Sequence, residues 1–180
     1  MFTCKLTDET ELRLLEIRHA EALYLLTTSS SAHLREWLPW VDHINHVADS
    51  RAFIESGLKQ FMKQDGFHAG IWHRGQLAGV IGLHGIHWGN RSTSIGYWIG
   101  STFEGKGLVT MAAKALIQHC FDDLNLERVE IRVATGNPRS QAIPERLGFT
   151  KEGILRHAEF LYDHYVDHIV FSKLAKEHVE

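Results

Sequence analysis

The chain has 180 residues and a mass of 20.5 kDa, with 44% hydrophobic and 23% charged residues, which suits one globular domain with a sizeable core. That balance excludes a disordered, collagen-like or disulfide-scaffold protein, and no apolar run approaches the roughly 20 residues that span a bilayer. With 19 Lys+Arg against 22 Asp+Glu, the formal charge is −3 and the pI is near 6.5. Such a chain lacks the basic field that nucleic acid requires, so an anionic ligand must be drawn by a local site.

Met1 to Asp8 has neither the basic start nor the apolar run of a secretory signal, so a cytoplasmic location is expected. Cys4 and Cys120 have no CxxC spacing and read as reduced thiols. No linker, repeat or charge block divides the chain, and residues 1–180 read as a single domain.

In chain order, Thr10 to Leu15 predicts a strand, and a helix follows over Arg18 to Thr27. A second short helix, Ala32 to Leu38, must end at Pro39, because the residue before proline is pushed away from helical geometry. Ile54, Leu58, Phe61 and Met62 recur at helical spacing between Val47 and Gln64. Phe67 to His73, Leu77 to His87 and Arg91 to Ile99 then read as an antiparallel meander, joined by Arg74-Gly75 and Gly89-Asn90. The loop Gly100 to Lys106 leads into a long helix whose Leu108, Met111, Ala112, Ala115, Leu116, His119 and Cys120 share a face. Val129 to Ala134 is a buried strand, and Asn137 to Leu147 is a helix with Gly148 as its left-handed cap. Phe149 opens another strand, and Val166 to Phe171 is the last. A meander followed by alternating helices and strands implies an α+β fold, its mixed sheet covered on both faces.

The segment Phe103-Glu104-Gly105-Lys106-Gly107-Leu108-Val109-Thr110 sits where a strand hands over to a helix. Two glycines let successive N–H groups converge there, and the helix N-terminus adds about half a positive charge, which makes a phosphate cradle. Lys106 and Lys114 could add local charge, although a plain strand-to-helix turn would use the same glycines. There is no Walker GxxxxGK[ST] string, and Gly105-Lys-Gly107 lacks the third glycine of the dinucleotide fingerprint. A second cluster runs from Asn137 to Phe149, where Asn137 suits an N-cap and Pro138 the first helical position. Pro144 is unusual, since it removes the hydrogen bond that would return to the Ser140 carbonyl and leaves the backbone there partly open.

These two clusters, about 30 residues apart, resemble the signature of the GCN5-related N-acetyltransferase (GNAT) superfamily. The resemblance runs from about residue 10 to 174. Trp37-Leu38-Pro39-Trp40, Ile95-Gly96-Tyr97-Trp98-Ile99 and Ala158-Glu159 with Asp167-His168 make the chain most similar to the ribosomal-protein (RimJ/RimL-type) branch. The resemblance implies a mostly antiparallel sheet of six or seven strands with a splayed central pair, and acetyl-CoA as donor. It implies that Gly105, Lys106, Gly107, Leu108, Val109 and Thr110 hold the CoA pyrophosphate. Trp98 and Ile99 would admit pantetheine and bind the thioester carbonyl, with Asn137 and Ser140 at the thiol end. A homodimer also fits this branch.

The chain departs from the family pattern at both ends of the glycine motif, which here begins with Glu104 and ends with Val109, so the Glu104 carboxylate must point away from the pyrophosphate. Many members carry a tyrosine seven residues after the Asn to protonate the leaving thiolate; here that position is Pro144. The branch implies Ser140 instead, as a hydrogen-bond donor to the sulfur, with Asn137 beside it. Acetyl transfer also needs a neutral amine. An α-amine with pKa about 7.7 to 8.0 is roughly 10 to 20% neutral at pH 7, against about 0.04% for lysine, so it needs only a modest base. Glu159 is the candidate for that base, directly or through water, and a backbone N–H near Ile99 is the expected oxyanion donor.

The 13 histidines include near pairs His43/His46, His84/His87 and His164/His168, but without HExxH or finger spacing no metal is expected. Trp37, Trp40 and Trp88 suit either an acceptor groove or packing. The expected activity is acetyl transfer to a protein N-terminus of the ribosomal kind. The alternatives are a small-molecule amine acceptor, such as a polyamine, amino sugar or antibiotic, and a CoA-binding module without turnover.

Overall fold

The strand and helix patterns assemble into one eight-stranded sheet in a computed structural model that describes residues 3–178. Its strands are β1 (Thr3–Lys5), β2 (Thr10–Leu14), β3 (Gly66–His73), β4 (Gln76–His87), β5 (Ser92–Ile99), β6 (Arg128–Ala134), β7 (Thr150–Leu161) and β8 (His164–Leu174). The helices are α1 (Ala20–Ser29), α2 (Ser31–Arg35), α3 (Val47–Met62), α4 (Leu108–Gln118) and α5 (Pro138–Arg146). The sheet order is β1-β2-β3-β4-β5-β6-β8-β7, antiparallel throughout except between β5 and β6. The strand beyond the expected count is β1, whose three exposed residues leave no burial pattern to read.

Two apolar layers sandwich the meander. On one face Ile81, Leu83, Ile131 and Phe171 pack against Ala112, Ala113 and Leu116 of α4. On the other, Leu15, Trp72 and Val80 pack against Leu23 of α1 and Ile54 of α3. β4 is therefore buried on both faces, which is why its sequence is almost continuously apolar. β6 instead alternates: Val129, Ile131 and Val133 are buried, while Glu130 pairs with Arg128 at 2.9 Å and with Arg132 at 2.6 Å on the opposite side. The buried stripe of α3 is Ser50, Ile54 and Gly57; Phe61 meets Phe67 only edge-on, and Met62 projects from the last turn into solvent.

The expected splay lies at β5/β6. Their parallel register covers only Ser92↔Arg128, Thr93↔Val129 and Ser94↔Glu130. Beyond it β5 stays with β4 as far as Gly79↔Ile99, and β6 stays with β8 as far as Ala134↔His168. Each strand thus keeps one partner, and a gap opens between them at their C-terminal ends.

Candidate active site

Strand alternation decides what β5 presents to that gap. The Arg91 carbonyl accepts from Glu127 and Arg128 N–H on the β6 side, whereas Gly100 N–H donates to Ala78 O of β4 at 2.7 Å. Backbone groups of a strand alternate in direction, so the Tyr97 and Ile99 amides face the gap where β6 has departed. Side chains alternate too: Tyr97 packs with the α4-side core and Trp98 with the α1/α3 cluster. A cleft of about 1080 Å³ occupies the gap.

The glycine loop forms one wall. Gly105 and Gly107 have φ of +73° and +70°, and Gly107 is the left-handed N-cap of α4. A Cβ at either glycine would meet no atom within 4 Å, so neither position is constrained by protein packing. The first intrahelical bond is Met111 N–H to Gly107 O, which leaves the amides of the first turn for a ligand. An anionic diphosphate fits this combination of free amides, helix dipole and open space. Glu104 lines the same wall, and its carboxylate is engaged by Arg139 Nη1 at 3.0 Å and His33 Nε2 at 3.5 Å.

The opposite wall is the start of α5. Asn137 caps this helix, accepting from Ser140 N–H at 3.1 Å, and Pro138 occupies its first turn as the sequence indicates. Gln141 Nε2 donates to the carbonyls of Ala134 and Thr135, tying α5 to the end of β6. At the other end Gly148 has φ +73°, and Phe149 N–H donates to Pro144 O in a Schellman-type closure. Ser140 is thereby held facing the cleft, where the Tyr97 hydroxyl donates to its carbonyl at 3.1 Å. Burial pushes the Tyr97 phenol up to about 12, with the Ser140 hydrogen bond pulling the other way.

Trp98, Ile99, Gly105, Gly107, Leu108, Val109, Thr110, Asn137 and Ser140 all line this one cleft. Lys106 is exposed beside it and is not part of the lining. Glu159 also lies outside the lining, on β7, with Oε2 3.4 Å from His168 Nε2. His168 pairs in register with Ala134, which places the Glu159–His168 pair by the strand end that leads to Asn137. Trp37 lines the cleft against Gly136, and Trp40 packs at 5.9 Å from Trp98. The loop carrying both tryptophans is tied to the β7–β8 turn by Tyr162 Oη donating to Leu38 O at 2.6 Å. Trp88 is at the other end of β5, donating to Gln64 O, and takes no part.

The sequence motifs give no role to Tyr97, Arg139 or His33. Only Tyr97 had a signal, since Pro144 leaves a carbonyl that needs a donor. Among the described residues, no three His, Cys, Asp or Glu side chains gather as metal ligands would. No helix among them is long and apolar enough to cross a membrane.

Comparison with known proteins agrees with this geometry. The acetyltransferase (GNAT) domain model matches residues 10–150. The Bacillus subtilis protein YdaF is 38% identical over 178 residues, 98% of this chain and 97% of its own length. The ribosomal-protein-serine acetyltransferase of Escherichia coli is 29% identical over 172 residues, 96% of each chain. The crystal structure of the Microcin C7 self-immunity acetyltransferase MccE, in complex with acetyl-CoA and AMP, superposes with a TM-score of 0.90 at 33% identity over 94% of each chain. The chain belongs to the GNAT acetyltransferase family and is an acetyl-CoA-dependent N-acetyltransferase.

Proposed function

We propose that this enzyme acetylates the N-terminal α-amine of a protein, ribosomal in kind, within the cytoplasm. The observation that carries the reading is the cleft itself, where inward-facing amides of β5 oppose Ser140 across the gap between β5 and β6. Acetyl-CoA supplies an activated thioester. Gly105, Gly107, Leu108, Val109 and Thr110 would hold its diphosphate through main-chain N–H groups, with Lys106 contributing only charge from outside the cleft. The Tyr97 and Ile99 amides would receive the acyl oxygen, and Trp98 would flank the entering acyl arm. Asn137 fixes the first turn of α5, and Ser140 Oγ would donate to the sulfur as its charge develops.

Glu159 would take the proton of the incoming ammonium. Its pairing with His168 supports this reading, because an imidazole at 3.4 Å can orient the carboxylate and pass a proton on. An α-amine is already partly neutral near pH 7, which matches a base of modest strength. The similarity to the Escherichia coli ribosomal-protein-serine acetyltransferase points the same way. The buried Cys120 and lone Cys4 suit a reducing compartment.

The test is thiol release from acetyl-CoA with a panel of acceptors. Peptides with free N-terminal Ser or Ala should be turned over, and the same peptides with blocked N-termini should not. Turnover confined to polyamines, amino sugars or antibiotics would replace the protein acceptor by a small molecule. Binding of acetyl-CoA without any amine-dependent release would reduce the chain to a CoA-binding module.

A further inference from the structure

Pro144 stands four residues after Ser140 in α5 and has no N–H, so the Ser140 carbonyl lacks the usual helical donor four residues on. A partly buried carbonyl left without a donor is destabilising. The structure fills the vacancy from another element: Tyr97 Oη of β5 donates to Ser140 O at 3.1 Å. The same oxygen lies 3.4 Å from Ser140 Oγ. A phenol has one proton, and here it is committed to the carbonyl. At Ser140 Oγ the Tyr97 oxygen can therefore only accept, and the Ser140 hydroxyl donates to it. With Ser140 N–H on Asn137 Oδ1, all three polar groups of Ser140 have assigned partners.

We infer that Tyr97 is the positioning residue for Ser140: drawn to the carbonyl that Pro144 leaves open, it holds Ser140 Oγ toward the cleft in a weak resting hydrogen bond. Being long, that bond is readily exchanged for a stronger one to a charged sulfur. Ser140 Oγ–H can turn from Tyr97 to the leaving group without a competing partner holding it back. Tyr97 does not supply the proton, because giving it up would break its hydrogen bond to the carbonyl. Its phenol, pushed up to about 12 by burial, keeps that proton across the working range. The inference rests on the role proposed for Ser140 and adds to it the residue that holds this serine in place.

Four variants test it by kcat, KM for acetyl-CoA and melting temperature: Ser140→Ala, Tyr97→Phe, Tyr97→Phe with Ser140→Ala, and Tyr97→Phe with Pro144→Ala. Tyr97→Phe should lower kcat about tenfold with KM within about twofold, and should lower the melting temperature. Adding Tyr97→Phe to Ser140→Ala should cost nothing further, because the tyrosine acts through that serine. Adding Pro144→Ala restores an N–H to the carbonyl, so the melting temperature should recover while kcat stays low. Recovery of kcat together with the melting temperature would show that Tyr97 only satisfies the backbone, and would overturn the inference. So would multiplicative losses in the Tyr97/Ser140 pair. Unchanged turnover in Ser140→Ala alone would instead remove Ser140 from the chemistry, and the inference with it.

Discussion

Glu104 reaches from the glycine loop to Arg139 on the first turn of α5, with Oε2 3.0 Å from Nη1. The contact spans the cleft from one wall to the other. It parks a carboxylate that would otherwise repel a diphosphate, and it occupies a guanidinium that could otherwise attract one. Arg139 is 81% exposed, so the pair contributes less than about 1 kcal/mol to stability. Glu104→Gln should tighten acetyl-CoA binding by roughly two- to fivefold. Arg139→Ala should weaken it by a similar factor, with both effects shrinking at high salt. Calorimetric titration at two ionic strengths checks this; equal affinity in all three proteins would show that the pair does not bear on the ligand.

Gly107 adopts φ +70° in open surroundings, so an added methyl meets no protein atom. Gly107→Ala should cost only the left-handed backbone penalty, about 1–2 kcal/mol, seen as a lower melting temperature. Any loss of acetyl-CoA affinity beyond that reports the ligand's own approach to the loop. We expect at least tenfold, by the close-approach argument for phosphate-binding glycines. An alanine variant with native affinity would move the diphosphate away from this turn.

The Glu159–His168 pair should make itself felt in the pH dependence of turnover. Glu159→Gln keeps the shape of the side chain but cannot take a proton. With an N-terminal peptide, the defect should approach about 10²-fold near pH 6 and shrink above pH 8, where the amine is already neutral. A defect of constant size across that range would make Glu159 a binding residue rather than a base.

His68 and His84 lie side by side on β3 and β4, with ring centroids 5.7 Å apart, against Gly57, Gly82 and Gly96. Burial lowers both imidazoles, His68 to about 4, and the neighbouring His84 adds repulsion at His68. The unfolded chain takes up these protons from about pH 6.5 downward, while the folded one holds His68 neutral to about pH 4. The unfolded state thus binds more protons in that window. For His68, stability should fall as pH falls from 6.5 to about 4, by up to about 1.4 kcal/mol per pH unit, with His84 adding to the loss in the same direction. Melting curves across this range should show the slope, and His68→Asn should flatten it; an unchanged slope would assign the acid sensitivity to other groups.

The elements of this fold are written locally. Apolar periodicity marks β2 through β6 and the helices, Asn137 and Pro138 start α5, and Gly148 stops it, because caps and turns depend on a few adjacent residues. Gly105 and Gly107 likewise announce a cradle by their need for positive φ. β1 is silent since it buries nothing, and Met62 misleads because helical spacing does not say how far the facing sheet extends. Pro144 shows the boundary most clearly. Its missing N–H declares in the sequence that the Ser140 carbonyl needs a donor, but not which one. The donor is Tyr97, 43 residues away, brought there by the pairing of β5 with β4 and the departure of β6. Likewise Glu104 reads as a misplaced charge until Arg139 and His33 converge on it. Local rules state what a residue lacks; long-range packing chooses what supplies it.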